Sequence, residues 1–230
     1  MDNLKDVYLS SQVFDEMHNL RFLLFTYQES NKVHLPDGLN SLPDKLMILE
    51  WPRYPLIVLP SNFSPEKLVK LDLSDSNIKQ LWKGSKHAPK LKQLILNDCL
   101  HLIRIPYLLD FPSLEEIILS NCNSLVDLPS SAQYLNNLQN LDLSGCINVT
   151  KFPLISGNVE RLNLSGTAIK KVPSSVQSLT KLIHLDLSKC KRLEHISTGI
   201  CKLKSLHTLH LSMIAPNLRL FQKSWRQWNL

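Results

Sequence analysis

The sequence predicts an α/β solenoid: a curved stack of short coils with a parallel β-sheet on its concave side and short turns or helical segments on its convex side. Three observations predict it. Of the 230 residues, 46 are leucine, one in five. Those leucines recur as L-x-x-L-x-L at a nearly constant spacing. Thiol or hydroxyl residues and prolines then return at the same phase of each copy. At 43% hydrophobic the chain is too apolar for disorder, yet it has no apolar stretch long enough to cross a bilayer. Only 6 glycines are available, which argues against phosphate-cradling loops, and no G-x-x-x-x-G-K-[ST] is present.

The triads read Leu68, Leu71, Leu73; Leu91, Leu94, Leu96; Leu114, Ile117, Leu119; Leu138, Leu141, Leu143. They continue as Val159, Leu162, Leu164; Leu182, Leu185, Leu187; and Leu206, Leu209, Leu211. Two looser copies precede them: Leu20, Leu23, Phe25 and Leu46, Leu49, Trp51. Successive first positions lie 21 to 26 residues apart, which is the leucine-rich-repeat period. The second and third leucines alternate with period two and so form a short strand. Stacked copies give a horseshoe whose concave wall is a parallel sheet. A lone copy buries too little to fold, so stability comes from neighbour interfaces.

Each copy continues alike. Eight residues after the first leucine stands Ser76, Cys99, Cys122, Cys146, Thr167 or Cys190. An apolar residue follows, then often a proline, as in Ile105-Pro106, Leu128-Pro129, Phe152-Pro153 and Val172-Pro173; its missing donor ends any ladder. The convex segments are short and polar, with inward residues such as Leu135 and Leu179. The spacer holding Gly157 is the shortest and should turn with little helix.

The predicted organisation is a lead-in over 1–19, an array of about nine repeats over 20–213, and an irregular tail over 214–230. In the tail Leu218, Phe221, Trp225 and Trp228 have the spacing of one helical face. A capping helix and a poorly ordered end are both open readings of it.

Four cysteines share one repeat position and make a ladder, not a zinc set. The expected role is a buried thiol donating to loop carbonyls, with parallel Cβ vectors too far apart for disulfides. Cys201 lies off the ladder and is expected in the convex core. No metal, cofactor or catalytic residue is expected. Ser188, His184 and Asp186 could be drawn as a triad, but nothing supplies an oxyanion hole or an oriented base. The sequons at Asn62, Asn148 and Asn163 are read as incidental. The first ten residues carry Asp2, Lys5 and Asp6 and no apolar run, so a secretory leader is not expected. The expected location is the cytoplasm, with the nucleus also open, and no membrane partner.

The residues beside the second leucine of each strand point into the groove. The candidate protein-binding set is Asp72, Gln93, Ile95, Glu116, Ile118 and Asn140, continuing with Asp142, Arg161, Asn163, His184, Asp186 and His210. This polar face with two isoleucines suits a protein partner. Although the net charge is +6, its basic residues fall mainly on turns and convex segments, and the groove carries carboxylates. That arrangement argues against nucleic acid.

Some stretches are more specific than the repeat. Residues 46–63 read LMILEWPRYPLIVLPSNF, residues 64–86 SPEKLVKLDLSDSNIKQLWKGSK, and residues 152–179 FPLISGNVERLNLSGTAIKKVPSSVQSL. Together these resemble the leucine-rich-repeat region of plant TIR–nucleotide-binding–leucine-rich-repeat immune receptors. The resemblance implies a part in plant defence: recognising a pathogen effector, directly or through a guarded host protein, and holding the receptor's own nucleotide-binding domain inactive. The family's NAD cleavage and its nucleotide switch belong to other modules, so no enzyme activity is expected of these residues. The other reading is a general leucine-rich-repeat scaffold with an unrelated regulatory partner.

Overall fold

The computed structural model describes residues 6–26 and 32–213. Nine three-residue strands form one parallel sheet in strict chain order. They are β1 (Phe22–Leu24), β2 (Ile48–Glu50), β3 (Lys70–Asp72), β4 (Gln93–Ile95) and β5 (Glu116–Ile118). Then come β6 (Asn140–Asp142), β7 (Arg161–Asn163), β8 (His184–Asp186) and β9 (Thr208–His210). The second leucine of each triad is the middle residue of its strand. The register is unbroken, with Leu71 beside Leu94, Leu94 beside Ile117 and Ile117 beside Leu141. Each triad turns inward, and from Leu68 to Leu187 its side chains are essentially fully buried.

The turn that leaves each of β2 to β9 is left-handed. Seven residues after the first leucine, φ is positive at Arg53, Asp75, Asp98, Asn121, Gly145, Gly166, Lys189 and Met213. From Arg53 to Lys189 the backbone N–H there bonds to the next coil: Asp75 N–H to Asn97 O at 2.7 Å, Asn121 to Ser144 O at 2.7 Å, Lys189 to Ser212 O at 2.8 Å. This extends the inter-coil ladder past the strand, at a conformational cost for residues other than glycine, asparagine and aspartate. Gly145 has a second constraint, because a Cβ added there would collide with the Asn121 carboxamide.

The aromatic residues of the early copies replace leucines in the core. Trp51 takes the third-leucine place and Tyr54 the thiol place, both 1% exposed. Phe25 stacks on Trp51 at 4.0 Å, and Tyr54 meets its edge at 5.1 Å. Phe14, from the lead-in, also packs edge-on against Trp51. The lead-in joins the stack through a two-residue parallel pair, Val7–Tyr8 with Val33–His34. A similar pair, Lys171–Val172 with His195–Ile196, lies in later return segments.

Helical content is confined to single 3₁₀ turns among the described residues: Leu108–Asp110, Ser130–Tyr134, Ser174–Ser178 and Thr198–Lys202. Pro129 and Pro173 stand just before two of them in extended conformation. Coils this short leave room for the tighter, longer-rising 3₁₀ turn rather than a run of α-helix. Leu135 and Leu179 are buried behind these turns, and the coil with Gly157 has no helical turn. No helix among the described residues is long and apolar enough to cross a membrane. The tail over 214–230 lies outside the described residues.

Candidate protein-binding face

Period-two alternation puts the middle residue of each strand into the core and its two neighbours onto the groove side. All twelve sequence-predicted residues occupy such positions, and none is buried. They form two rows. The first residues of the strands include Gln93, Glu116, Asn140, Arg161 and His184. The last include Asp72, Ile95, Ile118, Asp142, Asn163, Asp186 and His210.

The first row is knit together by side chains on adjacent coils. Glu116 accepts from Gln93 Nε2 at 2.9 Å and from Asn140 Nδ2 at 2.7 Å. Lys70 pairs with Glu50 at 2.6 Å. Sequence reasoning passed over Glu50, the last residue of β2 and so a member of the second row; its place beside the second leucine of the looser Leu46 copy carried the signal.

The second row does two jobs. Asp72 Oδ1 accepts from the Ser74 N–H at 3.0 Å and its hydroxyl at 2.6 Å. Asp142 and Asp186 each accept the N–H two residues on, from Ser144 and Ser188, at 2.7 Å. Asn163 does the same for Ser165 at 3.1 Å. These are Asx turns, so L-D-L-S is partly a turn signal. Asp142 Oδ2 also accepts from Asn163 Nδ2 at 3.1 Å, and Asp186 Oδ2 lies 3.4 Å from His210 Nδ1. Ile95 and Ile118 make no such turn; they lie side by side in register, half-buried.

Behind the face runs the thiol ladder. Cys99, Cys122, Cys146 and Cys190 donate to the carbonyls of Leu73, Leu96, Leu119 and Leu164 on the preceding coil, at 3.0–3.2 Å. All four are buried and free. Burial pushes the Cys99 thiol up to about 11 and Cys146 up to about 12, and raises Cys122 and Cys190 as well. Such thiols are poor nucleophiles and poor ligands. Among the described residues no group of His, Cys, Asp and Glu is placed to hold a metal ion. Cys201 corrects an expectation: it is exposed, not in the convex core. The inward position of that 3₁₀ turn belongs to Ile200, 5% exposed, and Cys201, one residue on, faces away.

The chain is thus a leucine-rich-repeat module whose concave face is covered by none of the described elements. No family model matches it. It is 37% identical over 212 residues to the disease resistance protein RPS4B of Arabidopsis thaliana, a match covering 89% of this chain and 18% of that protein. It is 37% identical over 215 residues to RPP2A of the same plant, covering 82% and 16%. The chain therefore spans under a fifth of the length of these relatives. The leucine-rich-repeat domain of the type III effector XopL superposes with a TM-score of 0.69 at 21% identity, covering 93% of this chain and 77% of that one; this likeness concerns fold alone. The chain belongs, as a leucine-rich-repeat region, to the plant TIR–nucleotide-binding–leucine-rich-repeat disease resistance proteins.

Proposed function

We propose that this region is the recognition surface of an intracellular resistance protein, reading a pathogen effector or a guarded host protein through its concave face and restraining the receptor's nucleotide-binding domain until that contact is made. One observation carries the reading most: the seven strands β3 to β9 present two continuous rows of polar side chains, with the Ile95–Ile118 pair among them and the apolar Phe22, Leu24 and Ile48 beside them on β1 and β2, on a wall that no element of the described chain covers. Protein interfaces combine such a polar field with a few apolar anchors. In this reading the region contributes binding rather than catalysis, as a leucine-rich-repeat wall does.

Pull-down from infected and healthy leaf extract tests this. The bait is the whole chain, beside a concave variant (Asp142→Asn with Asp186→Asn) and a convex variant (Lys151→Glu). The expected result is a protein captured by the wild type and the convex variant and lost from the concave one. Capture that survives the concave substitutions and fails on the convex one overturns the reading.

A further inference from the structure

Resting on the concave-face reading above, we propose that the groove takes a basic protein segment with an apolar side chain between its cations, read by Asp72, Ile95, Ile118 and Asp142. The four residues stand in one row on consecutive strands β3 to β6, each in register with the next. With adjacent strands ~4.8 Å apart, the two carboxylates bracket the isoleucine pair over about 14 Å. Ile95 and Ile118 are the only aliphatic residues in either groove-side row from β3 to β9. Aliphatic side chains on the water side of a sheet contribute nothing to the core behind it.

The charge on this wall is opposite to that of the chain. The sequence carries a net +6. The groove rows hold the carboxylates of Glu50, Asp72, Glu116, Asp142 and Asp186 against two fixed cations, Lys70 and Arg161. Lys70 is already paired with Glu50. The donors found at Asp72, Glu116 and Asp142 are neutral hydroxyls, amides and backbone N–H groups. These hold the carboxylates in place without cancelling their charge. An acidic segment or a nucleic acid meets repulsion here, and an apolar one strips water from carboxylates without replacing it. A cation at each end with an apolar residue between satisfies all four. At ~3.3 Å per residue an extended segment bridges the row with cations about four positions apart.

The test displays a random peptide library against the whole chain and against two double variants. Asp72→Asn with Asp142→Asn removes charge but keeps the Oδ1 acceptor for Ser74 and Ser144, so the turns persist; circular dichroism checks the fold. Ile95→Thr with Ile118→Thr keeps β-branched residues on the strands. The expected result is enrichment of peptides with Lys or Arg on both sides of an apolar residue. Their binding should be about tenfold weaker to the asparagine variant at low salt, with the apolar preference lost on the threonine variant. Acidic or uncharged peptides that the threonine variant releases overturn the proposed chemistry and leave the concave reading standing. Peptides held equally by both variants overturn the concave reading too. Enrichment of nothing overturns the proposal, because no linear segment is then read.

Discussion

Asp142 Oδ1 accepts the Ser144 N–H at 2.7 Å, so a side chain facing the groove also shapes the turn that closes its own strand. Position and charge at that residue are therefore separable. Asp142→Asn keeps the Ser144 acceptor but sets an NH2 in place of the oxygen that accepts from Asn163, and its melting temperature should fall only slightly. Asp142→Ala loses this bond and the one from Asn163, and should cost about 1–2 kcal/mol in urea unfolding. Equal losses in both variants would show that the Ser144 turn is not what the residue supplies.

Gly145 has φ +71° and the Asn121 carboxamide lies over it. Gly145→Ala should destabilise by about 1–3 kcal/mol, from a left-handed backbone and a displaced side chain together. Gly38 has a similar φ but nothing near its missing Cβ, so Gly38→Ala isolates the backbone part and should cost less. At Lys189, φ +58°, replacement by asparagine should raise stability by about 0.5 kcal/mol. Chemical denaturation of the three variants checks the ranking.

The chain has five cysteines, of which four are buried and Cys201 is exposed. Under native conditions near pH 8, iodoacetamide followed by mass spectrometry should show Cys201 modified first and Cys99, Cys122, Cys146 and Cys190 only on unfolding. Rapid labelling of a ladder cysteine would contradict its burial.

The ladder also predicts a pH dependence. Burial raises the folded thiols above their unfolded value near 9, with Cys99 at about 11 and Cys146 at about 12. The folded chain then holds protons that the unfolded chain releases. The contribution is fully present below about pH 9 and fades as pH rises through the folded values. The melting temperature should fall more steeply between pH 9 and 11 for the parent than for Cys99→Ser with Cys146→Ser. Parallel curves would remove the thiols from the account.

The leucines announced the strands because burial on a pleated wall leaves no freedom in spacing: every triad middle from Leu23 to Leu209 is a strand middle. The groove residues followed from the same alternation. The left-handed column was invisible, since Arg53, Asp98, Gly145 and Lys189 share a backbone shape without sharing chemistry. Cys201 went wrong because a 3₁₀ turn rotates its inward face away from where neighbouring apolar residues suggest. The dual role of Asp72 and Asp142 also needed coordinates, because a sequence shows which face a side chain takes and not which N–H it reaches.

The strand ladder joins each coil to the one before and the one after. Duplicating or excising one whole coil would lengthen or shorten the reading wall by a fixed increment and leave the remaining contacts as they were. Gaining or losing a single residue within a strand would instead swap its inner and outer faces. Such an architecture tolerates change in whole units, so its repertoire can be edited by splicing without rebuilding the scaffold.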